Sequence, residues 1–169
     1  MKSTKFELEI FADMKNIKSL APNGGVNNDD MGYFFKMRCE NCGDMTGEQC
    51  AYLKEMVKYK GKIFNLKLKC KFCSREGFVR LIPGSGTAFT ALHAERKVWA
   101  PLMVFECHGL VPEEYNFNGG WMIETDEKPP RFVEANFVSG NFVGSAEDFG
   151  SCIPSVTKIE GRFVQMKDK

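Results

Sequence analysis

Two cysteine pairs constrain this chain more than any other feature. Cys39-Glu40-Asn41-Cys42-Gly43 and Cys70-Lys71-Phe72-Cys73-Ser74 share one internal spacing, with 27 residues between Cys42 and Cys70. Two residues between thiols let both sulfurs point to one side of a tight turn, and two such turns brought together make a tetrahedral site. Zinc suits four thiolates, with Zn–S bonds of about 2.3 Å and no redox chemistry of its own. The metal ligands expected are therefore Cys39, Cys42, Cys70 and Cys73 around one Zn2+. The spacer is longer than in compact zinc ribbons and has room for a strand of its own around Ala51 to Val57, so the site should link separate hairpins. A metal closing that loop turns part of its binding affinity into folding free energy.

Other uses of such pairs are a redox dithiol, an iron site and a labile metal-transfer site. A redox pair ordinarily opens a helix, whose dipole lowers the thiol pKa, and neither pair has that context. A catalytic zinc keeps an open position and recruits His or a carboxylate. Here four cysteines close the shell, and His93 and His108 are the only histidines. No catalytic residues are assigned, and the expectation is a protein that is not an enzyme. Gly84-Ser85-Gly86 lacks the lysine and following helix of a phosphate loop. Cys50, Cys107 and Cys152 read as small hydrophobes. His108 adjoins Cys107, but neighbours on a strand point to opposite faces.

The chain's period is two. Phe6 to Ile10, Tyr33 to Cys39 and Phe64 to Cys70 alternate apolar with polar residues, and the last two deliver a cysteine inward at a strand end. Further strands are expected over Phe78 to Ile82, Leu102 to Cys107, Phe132 to Val138 and Ile159 to Gln165. Sixteen glycines suit many turns. Little helix is expected; Glu48 to Lys58 and Thr90 to Trp99 are the best candidates. Leu8 to Leu20 resembles Val104 to Pro112 as strand then turn, and Phe34 to Gly43 resembles Phe132 to Gly140. The fold expected is all-β and mainly antiparallel, sandwich- or barrel-like, with two related β-rich halves: residues 1–90 with the four-cysteine zinc site and 91–169 without metal.

Charge is nearly balanced, +1 over 169 residues, which argues against a dedicated nucleic-acid binder. Locally it is not balanced. Lys54 to Arg80 holds nine Lys and Arg against Glu55 and Glu76, whereas Glu106 to Glu160 holds ten acids against three cations. Lysines alternating with Tyr59, Phe64 and Phe72 leave single-stranded nucleic-acid binding as one alternative. Apolar runs fall short of the ~20 residues of a membrane-spanning helix, and Met1 to Glu9 alternates charge instead of forming a secretory apolar region. Seven cysteines without such a region favour reduced thiols, hence an intracellular protein, cytoplasmic or also nuclear.

Four segments are similar to the eukaryotic CXXC motif-containing zinc-binding protein family: Phe35 to Gly43, Lys69 to Cys73, Val104-Phe105-Glu106-Cys107-His108-Gly109-Leu110-Val111-Pro112, and Gly161 to Val164. The resemblance implies an all-β protein of two related halves with zinc on Cys39, Cys42, Cys70 and Cys73 and no established catalytic activity. His108 stands where that family commonly has arginine, and the loop from Asn23 to Asp30 is longer. The function expected is a monomeric, non-enzymatic protein-interaction or adaptor module with an unidentified protein partner. The alternatives are metal homeostasis, exchanging zinc or copper through the thiolates, and a thiol oxidoreductase.

Overall fold

Alternation decides the first strand. In the computed structural model, which describes residues 2–167, Phe6, Leu8, Ile10 and Ala12 of β1 (Thr4–Lys15) are buried while their neighbours are not. The chain continues through β2 (Ile17–Pro22), β3 (Gly32–Cys39), β4 (Gln49–Tyr52), β5 (Val57–Tyr59), β6 (Lys62–Phe64), β7 (Leu66–Lys69) and β8 (Glu76–Ile82). Then come β9 (Phe89–Thr90), α1 (Ala91–Arg96), β10 (Ala100–His108), β11 (Leu110–Asn116) and β12 (Trp121–Thr125). The remainder is β13 (Phe132–Ala135), β14 (Phe142–Val143), α2 (Ala146–Phe149) and β15 (Ser155–Gln165). Strand covers 53% and helix 6%, so the all-β expectation holds.

The largest sheet has the order β14-β15-β1-β10-β8-β7, and two smaller sheets are β11-β3-β4 and β13-β12-β2-β9. Every pairing among the described strands is antiparallel. The sheets curve as a half-barrel around one apolar cluster. Phe105 lies at its centre with no exposure, its ring set edge-on to Tyr33 at 6.1 Å, Phe35 at 5.1 Å and Phe163 at 5.1 Å. Segments 1–90 and 91–169 both contribute strands to each of these three sheets and residues to the shared core.

The pairing pattern contains a two-fold repeat. Exchanging β1, β2 and β3 with β10, β11 and β12, β4 with β13, and β7–β8 with β14–β15 preserves every pairing among the described strands except β2–β9, which has no counterpart on β11. β1 pairs with β10, β2 with β12 as β11 with β3, and β15 adds to β1 as β8 adds to β10. The turn from β1 to β2 passes through Asn16 at φ 59° and that from β10 to β11 through Gly109 at φ 75°, the left-handed region that Gly and Asn tolerate best. Beyond the turns, Asp126 N–H donates to Asn16 O (3.3 Å) just as Glu40 N–H donates to Gly109 O (3.0 Å). The equivalence of Leu8–Leu20 with Val104–Pro112 thus matches the topology. That of Phe34–Gly43 with Phe132–Gly140 is corrected: the strand entering the first knuckle, β3, matches β12, and Phe132 opens the neighbouring edge strand β13.

Three other expectations are corrected. Glu48 to Lys58 is not helical; it forms β4, a turn and the start of β5. The strand expected over Phe64 to Cys70 breaks at Asn65, and both departures share one cause. Asn65 Nδ2 donates to the carbonyls of Tyr52 (3.1 Å), Leu53 (3.2 Å) and Glu55 (3.0 Å), and its Oδ1 accepts Leu81 N–H (2.8 Å). Carbonyls bound to a side chain are not available to helical amides. The strand expected over Phe132 to Val138 stops at Ala135 because Phe137 turns in against Trp121, 6.2 Å between ring centroids. Thr90 to Trp99 does hold a helix, α1, capped by Thr90 and His93.

Candidate metal centre

Strand alternation carries Cys39 inward at the end of β3, where it is 3% exposed and pairs with Leu110 of β11. Strand β7 ends at Lys69, so Cys70 begins the turn into β8. The two knuckles close alike. Cys39 N–H donates to Asp44 O (2.8 Å) and Gly43 N–H to Cys39 O (2.9 Å); Cys70 N–H donates to Arg75 O (2.9 Å) and Ser74 N–H to Cys70 O (2.9 Å). Gly43 sits at φ 80° and Ser74 at φ 65°. Serine therefore adopts the glycine conformation, at a cost of roughly 1 kcal/mol, because the turn geometry demands it.

The four sulfurs meet. Each lies within 4.8 Å of the others, with Cys39 Sγ to Cys73 Sγ at 3.7 Å and Cys42 Sγ to Cys70 Sγ at 3.5 Å. A tetrahedron of Zn–S bonds near 2.3 Å has edges of about 3.8 Å. The donor set and its spacing fit zinc, and four thiolates would leave it no open position. Each close pair takes one sulfur from each knuckle, so an ion here would tie the end of β3 to the β7–β8 turn.

Hydrogen-bond donors prepare the site for charge. Asn41 and the Arg75 backbone N–H donate to Cys73, which lowers its pKa to about 6. Cys42 accepts the Asp44 N–H, which favours its thiolate, yet desolvation and hydrogen bonding with Cys70, Cys39 and Cys73 outweigh this and push it up to about 12. Clustered thiols cannot all ionise alone, so a dication is what permits the last protons to leave. Arg75 Nη1 also donates to Asn41 Oδ1 (3.0 Å), joining the middle of the first knuckle to the residue that follows the second knuckle's turn. The flanking cations serve the cluster less than their number suggests. Lys36, Arg38 and Lys67 pair with Glu114 (3.7 Å), Glu113 (2.8 Å) and Glu76 (3.0 Å).

The remaining cysteines stay outside the cluster. Cys50 is half-buried, Cys152 is exposed, and Cys107 is buried with its pKa held well above the thiol range by desolvation. His93 Nδ1 accepts Thr90 N–H (3.0 Å) and closes the cap of α1. His108 is buried at 4% exposure, is not among the clustered donors, and lines a cleft with Lys62, Arg80 and Glu106.

The two-fold repeat shows what replaces the cluster in the second half. Thr125, 1% exposed, ends β12 as Cys39 ends β3. Thr125 N–H donates to Arg131 O (2.9 Å), and Thr125 Oγ1 accepts Arg131 N–H (2.8 Å). Arg131 then reaches the segment between β14 and β15, the counterpart of the second knuckle. Its guanidinium lies 3.9 Å from the Phe149 ring centroid, donates to Asp148 O (3.1 Å) and grips Glu127 through two bonds of 2.9 and 3.0 Å. One arginine bridges the turns that four cysteines bridge in the first half. No sequence motif announces this bridge; the only local hint is the i,i+4 Glu127–Arg131 pair.

The family model described as CXXC motif containing zinc binding protein, eukaryotic, matches residues 7–164. A Xenopus laevis protein named CXXC motif containing zinc binding protein is 27% identical over 164 residues, covering 95% of this chain and 98% of that one. The Bos taurus protein of the same name is 30% identical over 136 residues, covering 78% and 81%. A solved structure titled Crystal Structure of C1orf123 superposes with a TM-score of 0.82 at 25% identity, covering 96% of this chain and 99% of that one. The repeat, the closed cluster of four thiols and this match over nearly its whole length place the chain in the eukaryotic CXXC motif containing zinc binding protein family.

Proposed function

We propose that the chain is a non-enzymatic, intracellular interaction module, cytoplasmic in the first instance, in which Cys39, Cys42, Cys70 and Cys73 hold one structural zinc ion that presents a surface to a protein partner. The observation that carries this reading is the position of Phe72. It occupies the apex of the second knuckle, 78% exposed, between two cysteines of the cluster. A ring held in water on a metal-braced turn loses little conformational freedom on docking, which is the property of an interface anchor. Four thiolates filling the zinc shell support a structural role over a catalytic one. No helix among the described residues is long and apolar enough to cross a membrane.

The test is crosslinking in cells with the zinc-loaded chain, its F72A variant and a C70S variant. Partners crosslinked by the parent and lost with F72A, while zinc content is unchanged, support the reading. An identical partner set for F72A and parent would overturn it.

One observation favours a second reading, exchange of zinc or copper. Cys42 is exposed, and Cys70 and Cys73 are only half-buried, so an incoming thiol can reach three of the four donors. Zinc that leaves within seconds to a competing chelator, with the fold intact, would favour exchange over bracing.

A further inference from the structure

A second concave site lies on the outer face of the six-stranded sheet. The β5–β6 hairpin packs there, Tyr59 and Phe64 against Phe78 and Phe64 against His108. Beside it is a cleft of about 700 Å3 whose walls include Met56 and Ile63 on the apolar side and Lys62, Arg80, Glu106 and His108 at the polar end. Met56 and Ile63 are 66% and 46% exposed. A cleft with one apolar wall and a few converging polar groups is the ordinary form of a small-ligand site.

His108 is the group that the fold leaves unexplained. Its side chain is 5% exposed, and Glu106 Oε1 lies 3.9 Å from Nε2, too far for a hydrogen bond. Desolvation lowers its pKa, so the ring is neutral at pH 7 and carries one proton. Nδ1 is enclosed without a partner among the described residues. A proton there would bury an unsatisfied N–H, which costs more than an unused lone pair on an atom able to accept. The proton therefore belongs on Nε2, on the Glu106 side of the cleft.

The other polar groups have been spent unequally. Glu106 Oε1 already accepts Arg80 Nη2 at 3.0 Å. The Asn65 side chain is committed to three carbonyls and the Leu81 N–H. Lys62 makes no ion pair among the described residues. The groups left facing the cleft are mostly donors, His108 Nε2–H, the Lys62 ammonium and the free N–H groups of Arg80, beside the second oxygen of the Arg80-paired Glu106 carboxylate. With Lys62 and Arg80 opposed by Glu106 alone, one positive charge remains in excess. A cationic ligand would find the only lining carboxylate already paired with Arg80. A monoanion would find three donors and an apolar wall.

We propose that this cleft binds a carboxylate carried on an apolar chain, with the carboxylate against His108 Nε2, Lys62 and Arg80 and the chain along Met56 and Ile63. The site is separate from the zinc cluster and stands or falls independently of the interaction-module reading.

The test is backbone and histidine-side-chain 15N NMR on the zinc-loaded full chain, titrated with octanoate, octanol and octylammonium. Octanoate is expected to shift Ile63, Phe64, Arg80 and His108 saturably, with octanol and octylammonium weaker by roughly tenfold or more, the worth of a charge-assisted hydrogen bond. R80M and K62Q should each weaken octanoate by a similar factor and leave octanol unchanged. Both positions are exposed, and if R80M loses its native spectrum, K62Q alone carries the comparison. An acetylated Leu-Ile dipeptide with a free or an amidated C-terminus separates the two sources of such a group. Tighter binding of the free dipeptide than of octanoate marks a peptide terminus, and the reverse marks a small acid. Three results would overturn the proposal: no saturable shift in the cleft at about 10 mM octanoate, a weak regime already near 3 kcal/mol; octanol binding equal to octanoate; or shifts centred on the thiol cluster.

Discussion

Stripping the zinc is the perturbation whose size the structure sets most directly. An ion shared by the two knuckles cross-links Cys39 to Cys73, 34 positions apart. By the loop-entropy relation used for disulfides, a cross-link of that span removes about 4 kcal/mol of freedom from the unfolded chain. The native side adds little strain to offset this, because the sulfur spacing already matches the tetrahedron. With a urea m-value of about 2 kcal/mol/M, removal should lower the midpoint by about 2 M, or the melting temperature by about 10 °C. The assay is urea unfolding followed by near-ultraviolet circular dichroism, with and without a strong chelator, beside C70S. Hydrogen exchange should show the loss beginning at β7, an edge strand that ends in a knuckle, while the β1–β10 pair at the centre of the sheet opens only with global unfolding. Zinc-free and zinc-loaded curves coinciding within about 0.5 M, near the extrapolation error, would refute the cross-link argument.

Thiol labelling of the zinc-loaded chain, read by mass spectrometry, should modify exposed Cys152 first and half-buried Cys50 more slowly, while Cys39, Cys42, Cys70 and Cys73 react only after chelation. Cys107, buried and held protonated, should be the last to react even then. F105A removes the ring that Tyr33, Phe35 and Phe163 surround, and should cost about 3–5 kcal/mol in urea unfolding. R131M should cost about 1 kcal/mol through the lost stack on Phe149 and the lost bond to Asp148 O. The same variant has a pH signature. Arg131 hydrogen-bonds Glu127 and lowers its pKa below the ordinary 4.5, so this pair contributes stability above that pH and loses it as pH falls through the depressed value. A carboxyl 13C titration should show the Glu127 midpoint rising toward 4.5 in R131M.

The cluster was legible because its information is local. Two C-x-x-C spacings and the strands that deliver them can be read from consecutive residues, and the alternation before Cys39 placed it on the buried face correctly. The strand core was legible for the same reason. Asn65 was not, because an asparagine between Phe64 and Leu66 looks like one more outward residue of an alternating strand. Its role depends on three carbonyls 10 to 13 positions earlier. The Arg131 bridge was hidden likewise, since its partners Phe149 and Asp148 O come near only once β12 to β15 are in place. His108 was rightly separated from Cys107 by strand geometry, but the cleft around it is assembled from four distant segments.

The pairings of β1 also bear on how the chain is made. Strand β1 is flanked by β10 and by β15, and Glu9 meets Arg162, 153 positions later, at 2.8 Å. A nascent chain leaves the ribosome at about 5–20 residues per second. The first strand therefore waits on the order of ten seconds for its second neighbour, with the N–H and C=O groups of one edge unpaired and open to chaperones or to another chain. Both cysteine pairs are available within the first 73 residues. All four ligands of the metal thus precede β15 by more than 80 residues, and the closing of β15 onto β1 is a long-range contact of the kind that forms late.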